Sequence, residues 1–204
     1  MHKPQNMAFM AYQHARQFVT RRKWLLMGCA FGRSCLPLLS GPIPAEAVAV
    51  CERRADTHVS VDEWDRCIVG LRQVSQPTQV QVHCIRFLGQ LFALERGVWY
   101  SHGLNYILQV HRSSDSRAAL CNLIRCIFGN PFRPVTFDPR WRSESAVALA
   151  RTAYDTGNFS LLPILADALE EAGCDNTDVL THCRDPNGVH VRGCWVVDGV
   201  LGKV

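Results

Sequence analysis

Ser160-Leu161-Leu162-Pro163-Ile164-Leu165-Ala166-Asp167-Ala168-Leu169-Glu170-Glu171-Ala172 is the stretch on which the reading of the fold turns. Leu162, Leu165, Ala166 and Leu169 recur at helical spacing and form one apolar stripe, with Asp167, Glu170 and Glu171 lying off it. Pro163 would break a helix interior. With Ser160 as N-cap it falls in the first turn instead, where its missing N–H has no intrahelical partner to lose. The same period runs outward in both directions with almost no alternation at period two, so the chain is expected to be mainly α, a helical bundle. Helices are expected over residues 7–23, 24–39, 45–57, 61–74, 78–95, 104–110, 115–128, 144–155, 161–172, 177–184 and 194–201.

Ser40-Gly41-Pro42, Ser75-Gln76-Pro77 and Gly129-Asn130-Pro131 supply stop signals between these helices. The last of them opens a different kind of segment. Pro131, Pro134 and Pro139 fix φ at three points and remove three donors, so residues 129–142 cannot be helix, and they are too apolar for a floppy linker. The chain therefore divides into an N-terminal helical part (1–128), a rigid proline and aromatic connector (129–142) and a C-terminal helical part (143–204), as two halves or one domain. Phe132, Phe137 and Trp141 are expected to be buried anchors across that joint. The alternative is an aromatic groove flanked by Arg133, Arg140 and Arg142 that takes a peptide or an anion.

A chain of 204 residues, 48% hydrophobic and 20% charged, can bury a sizeable core without help from disulfides or metal. No run approaches the 18 to 20 or so apolar residues of a spanning helix, so no membrane partner is expected. The net charge of +4 is too small to demand nucleic acid. Its distribution is uneven: residues 1–60 carry an excess of five positive charges and residues 155–185 an excess of six negative ones. Phosphate-loop, dinucleotide, zinc-protease, esterase and EF-hand motifs are all missing, which removes the commonest enzyme and calcium readings.

Thr20-Arg21-Arg22-Lys23-Trp24-Leu25-Leu26 has the form of a twin-arginine export signal, with residues 27–39 as its apolar part and Ala45-Glu46-Ala47 as a cleavage site. Arg33 and Ser34 interrupt that apolar part, and Gly28 and Gly32 dilute it. The expectation is therefore a cytoplasmic protein, with export as the alternative. Its ten cysteines are then thiols, several of them core residues: Cys84 shares a helical face with Phe87, Leu88 and Leu91, while Cys121 and Cys126 sit among Leu120, Leu123, Ile124 and Ile127.

Long motifs run through the second half: Leu123-Ile124-Arg125-Cys126-Ile127-Phe128-Gly129-Asn130-Pro131-Phe132-Arg133-Pro134-Val135, Val147-Ala148-Leu149-Ala150, Leu162-Pro163-Ile164-Leu165-Ala166-Asp167-Ala168-Leu169, Ala172-Gly173-Cys174, His182-Cys183-Arg184 and His190-Val191-Arg192-Gly193-Cys194-Trp195-Val196-Val197-Asp198. Together they resemble an uncharacterised family recurrent in planctomycete genomes. The front is similar to it as well, with residues 22–35 and 45–56 standing where that family has a basic, cysteine-clustered segment and the helix after it. Here the cluster is thinned to Cys29 and Cys35. The resemblance covers about three quarters of the chain. It implies that residues 24–39 belong to the domain, and it implies no activity.

Cys174, His182, Cys183, His190 and Cys194 crowd the last third. Zinc takes four N or S ligands in a tetrahedron, and thiolates with imidazoles supply both. Neighbours on a helix point about 100° apart, so His182 and Cys183 do not serve one ion together. Cys183 shares the phase of Val179 and Leu180 and reads as core. The candidate ligand set is Cys174, His182, His190 and Cys194, with seven, seven and three intervening residues, a spacing that matches no standard zinc module. A competing chemical reading makes Cys183 or Cys194 a nucleophile activated by His190, with Asp198 orienting the imidazole. The expected function is a soluble, non-enzymatic helical domain for interaction with a protein partner or for regulation. A zinc-binding protein or a cysteine-dependent enzyme is the alternative, and nucleic-acid association through Arg16, Arg21, Arg22 and Lys23 is the third reading.

Overall fold

The computed structural model describes residues 20–73, 77–93 and 109–203, and among them the regular structure is helical with no strand. Two compact units result: the described part of the first lies within residues 21–121, and that of the second is residues 122–203 with Thr20. The division falls inside a helix. Most of each of the expected helices over 104–110 and 7–23 lies outside the described residues, the former being described, as helix, only at 109–110.

The first unit is built on α1 (Arg21–Cys35), α2 (Ile43–Asp56), α3 (Val61–Arg72) and α4 (Gln79–Ala93), with α5 (Ser114–Phe128) beginning in it. Two helices were expected to meet between Lys23 and Trp24, but no breaker stands there and α1 runs through. Trp24 to Gly32 are all buried, because α1 packs on both α2 and α4 and is apolar on every side. Arg33 reaches out of α1 to Glu52 on α2 with two bonds of 2.6 Å, which satisfies a carboxylate left only 7% exposed. Ser60 caps α3 by accepting from the Glu63 amide. Cys84, Phe87 and Leu88 are fully buried on α4, as their spacing predicts.

The second unit follows from the end of α5 through the connector to α6 (Glu144–Thr156), α7 (Leu162–Glu171), α8 (Thr177–Arg184) and α9 (Trp195–Leu201). The helix α6 packs on α7 and α9, and α8 packs on α7. Leu162, Leu165, Ala166 and Leu169 are fully buried, and Pro163 sits in the first turn. Ser160 is not the cap. A short 3-10 turn, Phe159–Leu161, precedes α7, and Asn158 accepts from both the amide and the hydroxyl of Ser160. The sulfhydryls of all ten cysteines are free and all ten residues are buried.

The connector corrects one expectation. Trp141 is buried and Phe137 is half-buried, wedged edge-on between Trp141 and Trp195 at 5.8 and 6.0 Å between ring centres. Phe132 is 59% exposed. Asn130 takes the Phe132 amide on its side chain and the Arg133 amide on its carbonyl, and the tight turn that results carries Phe132 at its tip. Among the described residues, no helix is long and apolar enough to cross a membrane.

Candidate metal centre

Four side chains from four separate segments of the second unit meet at one point. Cys126 lies on the last turn of α5, which ends at Gly129 with φ +64°, the left-handed conformation in which glycine carries no penalty. A Cβ at Gly129 would stand 3.1 Å from the Trp195 ring, so the end of α5 seats directly against the first residue of α9.

His182 comes from the last turn of α8. Asn176 caps that helix by accepting from the Val179 amide. Arg184 ties α8 to α7 through Asp167 and Glu170, both at 2.6 Å. His190 follows the Asp185-Pro186-Asn187-Gly188 turn, closed by Gly188 N–H donating to the Asp185 carbonyl at 3.0 Å. Cys194 follows a second turn, in which its own amide donates to the Val191 carbonyl at 2.9 Å and Gly193 takes φ +93°. That turn delivers Cys194 as the N-cap of α9. Arg192 anchors the hairpin to α6 by donating to the Tyr154 carbonyl at 3.0 Å and stacking on the Tyr154 ring.

The ligand atoms of Cys126, His182, His190 and Cys194 all lie within 4.8 Å of one another. His182 Nε2 is 3.3 Å from Cys194 Sγ, and His190 Nδ1 is 3.9 Å from Cys126 Sγ. Zn–S and Zn–N bonds of about 2.3 and 2.05 Å in a regular tetrahedron give an N···S edge of about 3.5 Å. The two observed separations bracket that edge. The imidazoles stand perpendicular, ring centres 4.8 Å apart, so each presents one nitrogen to the sulfurs without a collision of the rings. Both sulfurs are shut from water, both histidines are half-buried, and Trp195 lies beside His182 at 5.4 Å.

Electrostatics separates the thiols. Burial pushes Cys194 up, but hydrogen bonds from Cys126, His182 and His190 outweigh it and hold this thiol well below the ordinary range. Burial pushes Cys183 up, and neighbouring Cys194 and Cys174 add to it; Cys174 is raised by burial too. Cys194 is thus the thiol poised to be an anion, as a ligand must be.

Of the four expected ligands, His182, His190 and Cys194 come together, and the fourth member of the group is Cys126, not Cys174. Cys174 closes the end of α7, its amide donating to the Leu169 carbonyl behind Gly173 at φ +87°, and its side chain belongs to the core of the unit. Cys126 escapes a reading of the sequence because it is 64 residues from His190 and sits among Leu123, Ile124 and Ile127, where a thiol passes for a small hydrophobe.

The other candidates are placed as follows. Cys183 is core, and Asp198 is buried in the first turn of α9. Arg133 pairs with Asp178, Arg140 folds onto Asp138, and Arg142 donates to the Gly199 carbonyl, so the three arginines of the groove reading are engaged within the unit. Arg22 is taken by Asp56 at 2.8 Å, and Arg16 lies outside the described residues. No family model, no curated protein and no solved structure matches the chain, and nothing in those comparisons bears on the planctomycete resemblance.

Proposed function

We propose that the chain is a zinc-stapled helical domain, with one zinc ion held by Cys126, His182, His190 and Cys194. The observation that carries this reading is the convergence of two thiols and two imidazoles from α5, α8, a loop and α9, with their ligand atoms within 4.8 Å of one another. A soft sulfur and imidazole set suits zinc rather than magnesium or calcium. Four protein ligands leave no open position for water or substrate, so the ion is structural and the domain non-enzymatic, serving interaction or regulation. The reading puts the chain in the cytosol, where thiolate ligands stay reduced.

Cobalt(II) titration of the metal-free protein tests it. Intense visible bands of a tetrahedral ion, with thiolate charge transfer clearly weakened in Cys126→Ser, are expected. A weak octahedral spectrum contradicts the proposal. The His182 and Cys194 pair at 3.3 Å also favours a second reading, a cysteine nucleophile with its base. Rapid alkylation of Cys194 alone in the metal-free folded protein would support that reading. Resistance is what its full burial predicts.

A further inference from the structure

We infer that the two histidines ligate through different nitrogens, His182 through Nε2 and His190 through Nδ1, and that Gly188 is the positioning residue that makes this possible. The inference rests on the zinc reading above. His190 turns Nδ1 toward Cys126 Sγ, at 3.9 Å, while His182 turns Nε2 toward Cys194 Sγ, at 3.3 Å. The outer edge of the His190 ring lies over the Gly188 backbone. A Cβ there would stand 2.7 Å from His190 Nε2, 3.3 Å from Cε1 and 3.0 Å from the Asp185 carbonyl oxygen.

Gly188 is not among the glycines with positive φ, unlike Gly173 and Gly193 on either side of it, so its backbone conformation is open to other residues. What the position needs is space, and the group that fills the space is the imidazole. At the imidazole, substitution has a cheap outlet, since a ring on a two-bond tether can swing away, while the Asp185 carbonyl oxygen need give by only a few tenths of an ångström. Swinging carries Nδ1 off the point where the other three ligands meet. Loss of metal affinity without loss of the fold is the signature of a positioning residue of this kind.

Two measurements test the inference. In zinc-loaded, ¹⁵N-labelled protein, two-bond ¹H–¹⁵N correlations should show the ring proton of His182 on Nδ1 and that of His190 on Nε2, each opposite its metal bond. Gly188→Ala should weaken zinc binding about 10- to 100-fold in competition with a chromophoric chelator, while the metal-free variant keeps its helical circular dichroism. A proton on Nδ1 of His190 in the zinc form, or Gly188→Ala binding zinc as tightly as the unsubstituted chain, overturns the inference and leaves the zinc reading intact. Failure of the unsubstituted chain to bind zinc overturns that reading and this inference with it. If Gly188→Ala does not fold, the ring-proton pattern of the unsubstituted protein decides.

Discussion

Gly199 sits inside α9, where alanine is ordinarily the better residue by about 1 kcal/mol. Here the sign should reverse. A Cβ at Gly199 would stand 2.2 to 2.5 Å from three carbons of the Phe137 ring, whereas ordinary contacts begin near 3.4 Å. The ring must therefore retreat by about 1 Å or leave. It is held edge-on by Trp141 and Trp195, pairs worth about 0.5 to 1.5 kcal/mol each. Losing both costs about 1 to 3 kcal/mol, and the helix preference returns about 1, so Gly199→Ala should destabilise the second unit by up to about 2 kcal/mol rather than stabilise it. For a unit of this size that lowers Tm by up to about 16 °C. Thermal melts followed by circular dichroism and by near-ultraviolet tryptophan signals provide the assay. In a Phe137→Ala background the obstruction is gone, and the same Gly199→Ala change should stabilise. A Gly199→Ala protein more stable than the unsubstituted chain, or an equal effect in both backgrounds, would refute the packing argument.

Trp141→Ala should cost about 3 to 5 kcal/mol, measured by urea unfolding, because the ring is 8% exposed in the core of its unit; a loss well under 1 kcal/mol would contradict that placement. Arg33→Met strands Glu52, and with the arginine itself half in water the expected loss is about 1 to 3 kcal/mol, most of it recovered in the Arg33→Met/Glu52→Gln double variant. Burial lowers the pKa of His111, whose Nε2 lies 2.9 Å from the Ser34 hydroxyl. Its folded value lies below its ordinary 6.5, so the neutral ring is favoured by folding; the contribution is complete above about pH 6.5 and drains away as pH falls below it. His111→Gln should flatten that part of the stability profile, and an unchanged slope would count against it.

The helices were legible because their signals are local. The Leu162, Leu165, Ala166 and Leu169 stripe and the first-turn Pro163 need only a dozen residues of context, and both stand as read. The cap was harder: α7 starts after Leu161 with no side-chain cap, because Ser160 is taken into the 3-10 turn that Asn158 caps, and only backbone geometry decides that. Phe132 failed for a similar reason, its exposure being set by an Asn130 turn rather than by its own hydrophobicity. The cysteine and histidine cluster divides along the same line. His182, His190 and Cys194 lie close in sequence and were read together, whereas Cys126 arrives by a tertiary contact between the end of α5 and the C-terminal hairpin. Cys174 looked equivalent on paper, but the turn after α7 commits it to the core.

Elemental analysis of the protein purified without chelators tests the central claim most directly, with Cys126→Ser and Cys174→Ser prepared in parallel. One equivalent of zinc is expected in the unsubstituted chain and in Cys174→Ser, with the metal lost from or loosely held by Cys126→Ser. A metal-free chain after zinc-replete expression, or zinc that depends on Cys174 and not on Cys126, would contradict the account.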